Sequence, residues 1–154
     1  DRMAETQTMV SHCPYSNVNL SSGIAPIRKL IERKIPIGLG SDISGGHIVS
    51  MAKVLTEAIG LSKMKWVEVD QTYAPLTLSE AFYMATKSGG KFFGKVGSFE
   101  KGCELDALVI DDTTLFDPNE RSLEERLERW LYVGDDRHIV ERYVAGKVAP
   151  EPTN

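Results

Sequence analysis

Two apolar, β-rich runs separated by one amphipathic stretch constrain this chain more than any other feature. Residues 8–13, "TMVSHC", make a short extended run that ends in polar groups. Residues 35–40, "IPIGLG", make a second run that suits burial on both faces, with Pro36 at its start, where a missing N–H is tolerated. Between them Ile24, Ile27, Leu30 and Ile31 fall on one helical face from Ile24 to Lys34, and Arg28, Lys29, Glu32 and Arg33 fill the other. Pro26 suits the first turn of that helix. Strand, helix and strand with short joints predict a βαβ unit, and hence parallel pairing. The stretch "PYSNVNLSSG", which follows the first strand, reads as loop on its Pro, Ser, Asn and Gly content.

The alternation continues. Ile48, Met51, Val54, Leu55 and Ile59 predict a helix that opens at His47. Thr77 and Glu80 fit a capping box for another helix, with Gly89 and Gly90 as its stop. Beyond Gly94 the texture changes to a strand at Ala107–Ile110, a helix with Leu123, Leu127, Trp130 and Leu131 on its apolar face, and a hairpin turning at "AGK". Trp130, Leu131 and Tyr132 read as core. The division expected is an α/β part over residues 1–93 and a β-rich part over 94–154.

With 154 residues, 42% of them hydrophobic, the chain can bury a core. Its net charge of −4, with Lys and Arg scattered among Asp and Glu, argues against a nucleic-acid partner. No apolar run approaches the ~20 residues needed to cross a bilayer. The opening "DRMAETQTMV" lacks the order of a signal peptide, so the expected compartment is the cytoplasm. Cys13 and Cys103 read as free thiols. A start at Asp1 that reaches a strand within eight residues gives the expectation of a piece of a longer chain.

The two strands deliver His12 and Asp42 to the carboxyl ends of consecutive parallel strands, where active sites form in α/β sheets and barrels. Imidazole and carboxylate suit zinc or iron, and a carboxylate beside an activated water can take its proton. Plainer readings stand beside this one: Asp42 as the cap of the next helix, and His12 as a core histidine. Phosphate loops fail on inspection. "GLGSDI" lacks the third glycine of G-x-G-x-x-G, and "GSDISGGH" has Gly46 and His47 where Lys and Ser or Thr are required. The glycines instead leave room for a ligand beside Asp42. His47 reads as a neutral hydrogen-bonding group near the site or as a surface residue, and His138 as structural.

In this order, "SHCPYSNVNLSSG", "GLGSDISGG" and "GSFEKGCELDALVID" resemble the carboxyl-terminal part of the amidohydrolase superfamily, over Val10 to Val148. "GLGSDISGGHIVSM" and "SLEERLERWLYVGDDRHIVERYVAGK" are most similar to its branch that hydrolyses guanine to xanthine and ammonia. The resemblance implies an α/β fold: the last units of a (β/α)8 TIM barrel, plus part of a small β-sandwich. It implies Asp42 as both a ligand of a catalytic Zn2+ (or Fe2+) and the group that accepts the proton of the attacking water. It further implies a small purine base as partner and a homodimer for the intact enzyme. His12 is not among the implied metal ligands; His12, Ser16, Asn17, Gly45 and Gly46 are expected to touch the substrate or to organise the loops around it.

The superfamily's H-x-H pair and its two further histidines have no counterpart here, which leaves one ligand in this chain. The 154 residues alone are therefore expected neither to hold the metal tightly nor to turn over guanine. An amidohydrolase acting on another amino-heterocycle, or a non-catalytic α/β module, are the alternative readings.

Overall fold

A computed structural model describes residues 2–150. After a short helix α1 (Arg2–Glu5) come β1 (Val10–His12), α2 (Pro14–Asn19), α3 (Ile27–Glu32) and β2 (Ile37–Leu39). The two strands pair in parallel, with Val10 opposite Ile37, Ser11 opposite Gly38 and His12 opposite Leu39. The βαβ unit is therefore present, though each of its elements is shorter than its apolar run. Pro26 caps α3 from outside, and Pro36 precedes β2.

The expected loop after the first strand is instead partly helical. Pro14 occupies the start of α2, where its lost N–H costs nothing, and Pro14 and Ser16 are buried. Contacts with the following long helix hold α2 in place, and these are not visible in local composition.

That long helix, α4 (Met51–Glu68), begins four residues after His47, with Ser50 at its N-cap. The expected start at His47 is thus corrected: residues 47–50 stay outside the helix, following the hydrogen-bonded turn at residues 42–46, and Ser50 is still in extended backbone. α5 (Leu78–Tyr83) carries the expected capping box, Thr77 Oγ1 accepting from the Glu80 amide and the Glu80 carboxylate accepting from the Thr77 amide. It then widens into a π-helical stretch, Met84–Ser88. Gly89 and Gly90 do not stop the helix through a left-handed residue. They are close-approach positions: a Cβ on Gly38 of β2 would lie 3.0 Å from Gly89 Cα, and one on Gly90 would enter the Val96 carbonyl.

The later elements are β3 (Ala107–Ile110), α6 (Leu123–Val133), β4 (Ile139–Val144) and β5 (Lys147–Val148). The three strands form an antiparallel sheet in sequence order, and Ala145 and Gly146, both at positive φ, make the hairpin turn. A second capping box, Ser122 with Glu125, starts α6. The buried core draws on Ile27, Ile37, Leu55, Ala58, Ile59, Leu76, Ala81 and Met84, together with Trp130 and Leu131 of α6. The architecture is mixed α/β. The described residues form neither a closed barrel nor a sandwich.

Candidate active site

The site is built where β1 and β2 end. The Gly40 amide donates to the His12 carbonyl (2.9 Å), the last rung between the two strands. Beyond it the chain reverses: Asp42 lies at φ +46° and Ser44 at φ +89°. Asp tolerates the left-handed region better than most residues because its short polar side chain can bond locally. The turn is closed by the Gly46 amide to the Asp42 carbonyl (2.6 Å) and by the Ser44 amide to the Gly46 carbonyl (3.0 Å). Because α4 starts at Met51 under Ser50, Asp42 is not the cap of the next helix.

Asp42 is exposed, and Ser16 is buried beside it. Ser16 Oγ donates to Asp42 Oδ2 at 2.6 Å, a length typical of a hydroxyl on an ionised carboxylate. Asn19, one turn further along α2, donates from Nδ2 to the Gly45 carbonyl at 2.8 Å. There is no room for a side chain between these groups. A Cβ on Gly45 would lie 2.6 Å from Asp42 Oδ2 and 2.7 Å from Ser16 Oγ, and one on Gly46 would overlap the Ser41 carbonyl. The two glycines let the turn fold down onto α2.

Of the residues singled out from sequence, Ser16, Asp42, Gly45 and Gly46 thus meet. Asn17 contributes backbone bonds, its amide to the Cys13 carbonyl and its carbonyl from the Ser22 amide. Asn19 ties the turn by its side chain, a role that a loop reading of "PYSNVN" does not reveal. Read as a helix, the same stretch puts Asn19 on the face of Ser16 by its i, i+3 spacing. His12 is buried, and its Nδ1 has no hydrogen-bond partner. Burial lowers its pKa to about 4, so it is neutral at physiological pH. His47 is exposed and packs edge-on against the Tyr15 ring, with centroids 4.9 Å apart.

A carboxylate with one oxygen held and the other unclaimed by the described residues is suited to accept a proton from a water and pass it on. A tightly held zinc needs about three protein ligands. Among the described residues no three His, Cys, Asp or Glu side chains gather in that way, so this donor set does not fit the ion on its own.

The family model described as "Amidohydrolase family" matches residues 1–149. The chain is 38% identical to a guanine deaminase of Dictyostelium discoideum over 147 residues, covering 91% of this chain and 32% of that protein. Among solved structures it superposes on a guanine deaminase from C. acetobutylicum with guanine bound in its active site. There the TM-score is 0.90 at 53% identity, over 95% of this chain and 35% of that one. The E. coli guanine deaminase gives a TM-score of 0.83 at 34% identity, over 99% of this chain and 36% of that one. The chain therefore spans about a third of the length of these relatives.

Proposed function

Because the chain belongs to the amidohydrolase family, we propose that it is the carboxyl-terminal portion of an enzyme that hydrolyses guanine to xanthine and ammonia. The observation that carries this reading is the 53% identity, at a TM-score of 0.90, to a deaminase whose active site holds guanine. In the proposed arrangement residues 1–93 are the last β/α units of a (β/α)8 barrel, and residues 94–154 contribute strands and a helix to a β-sandwich. The intact protein is proposed to be a cytoplasmic homodimer. No helix among the described residues is long and apolar enough to cross a membrane.

The chemistry assigned to this chain is proton transfer at Asp42. A water adds to the ring carbon that bears the exocyclic amine, and Asp42 Oδ1 takes the proton that the water loses. The new C–O bond forms, the proton passes to the amine, the C–N bond breaks, and ammonia leaves. Asp42 sits just beyond the carboxyl end of a strand, on a turn that Gly45 and Gly46 allow to close against α2, so these glycines serve the turn's packing and not an opening for a ligand. A zinc or iron ion that activates the water belongs to the proposal for the intact protein, with Asp42 as one ligand and the other donors outside these 154 residues.

The test is the intact protein, zinc-loaded, with guanine. Xanthine and ammonia should appear in equal amounts, and Asp42→Asn should lower kcat by at least about 100-fold. No product from the wild type, or unchanged turnover in the variant, removes the reading.

A further inference from the structure

The third and sixth residues of α2 lie against the turn that carries Asp42, and the contact is asymmetric. Ser16 bonds Oδ2 and not Oδ1, from a hydroxyl that is itself buried. Asn19 holds the Gly45 carbonyl from the same helix. The space between is so tight that Gly45 cannot carry a Cβ without striking both Ser16 Oγ and Asp42 Oδ2. From α2, Asn19 thus holds the backbone of the turn that carries Asp42, and Ser16 holds the carboxylate itself. A carboxylate free to rotate would present either oxygen in turn; this one has its orientation chosen by a neighbour.

We propose that Ser16 is the positioning residue for Asp42: its hydroxyl holds Oδ2 and thereby fixes Oδ1 as the oxygen that exchanges protons with the reacting water. This rests on Asp42 being the proton acceptor proposed above. It goes further by assigning the orientation of that group to α2, with Asn19 and Gly45 keeping the turn in reach. Ser16 itself touches neither substrate nor reacting atoms in this scheme. Its effect must pass through the Asp42 carboxylate, and that dependence can be measured.

The experiment uses the intact, zinc-loaded protein and four forms: wild type, Ser16→Ala, Asp42→Asn and the double variant. Ser16→Ala should lower kcat for guanine by about 10- to 100-fold, with KM changed less than about twofold, the size of loss usual when a group supporting a reactive ligand is removed. Ser16→Thr, which keeps the hydroxyl, should recover most of that loss. In the Asp42→Asn background the Ser16→Ala change should have no further effect on kcat. A Ser16 that merely supports the fold would instead lower the thermal midpoint and cut activity by the same factor in both backgrounds, which overturns the proposal. Unchanged kcat in Ser16→Ala overturns it as well. A wild type inert on guanine but active on another amino-heterocycle overturns the substrate alone, and the same four forms are then compared on that compound. A wild type inert on all of them overturns both.

Discussion

Arg28 grips Glu80 with both arms of its guanidinium, at 2.5 and 2.8 Å, while the same side chain donates to the carbonyls of Ala74 and Pro75. One residue of α3 thus joins the segment before α5 to the capping box that starts it. The guanidinium and the Thr77 amide hold the Glu80 carboxyl down to about pKa 2. A carboxyl lowered from its usual 4.5 contributes stability that is complete above pH 4.5 and is lost as pH falls toward 2. Arg28→Met should cost about 1–3 kcal/mol at neutral pH, and should flatten the stability profile over that acid range. Denaturant unfolding at several pH values measures both.

His12 predicts a second and higher window. Its buried ring is held neutral, with a pKa of about 4 against 6.5 when unfolded. The unfolded chain therefore binds more protons between these values, and stability declines as pH drops from 6.5 to 4, by at most about 3 kcal/mol. His12→Phe removes the proton site and an unpartnered ring nitrogen together. Its stability should stay level across that range, where the wild type weakens.

Glycines of the same type predict opposite outcomes. Gly60 lies inside α4, where an added methyl would meet nothing within 4 Å, so Gly60→Ala should stabilise by about 0.5–1 kcal/mol through helix propensity. A Cβ on Gly38 would lie 3.0 Å from Gly89 Cα and 2.9 Å from Met9 Cε, so Gly38→Ala should destabilise by about 1–3 kcal/mol. Thermal midpoints of the two variants should move in opposite directions.

The 154 residues expressed by themselves should bind less than one equivalent of zinc at micromolar concentration, and should release no ammonia from guanine. Among the described residues one carboxylate is presented at the strand ends and no three-ligand cluster exists. β1 and β2 each have one strand neighbour among those residues, and an unpaired edge invites another chain. Sedimentation should therefore show association that grows with concentration; a full equivalent of bound zinc, or a monomer at every concentration, would contradict the corresponding half of this expectation.

Elements whose pattern is local were legible from the residues. Ala107–Ile110 is a short apolar run ending in the β-branched pair Val109 and Ile110 and forms that strand, and Thr77 with Glu80 caps α5 as its spacing predicts. Asp42 could be placed at a strand end because "IPIGLG" is apolar and punctuated by glycine. What was not legible depends on partners distant in sequence. The composition of α2 reads as loop, yet the segment packs on α4, and only as a helix does it aim Ser16 and Asn19 at residues 26 positions away. The close-approach role of Gly89 requires knowing that β2 passes beside it, and the π-helical widening at Met84–Ser88 has no signature in apolar spacing.

The shared burial of Trp130 and Leu131 with Ile27, Ile37 and Leu55 also bears on how such chains can exchange parts. The change of texture near Gly94 looks like a natural crossover point for recombination between relatives. A chimera joined there would set the apolar face of one parent's α4 against the other parent's α6, so the core would close only where those two faces fit each other. Inheritance of α6 is thus coupled to that of α4 through the shared core, although the two lie on opposite sides of Gly94 in the sequence.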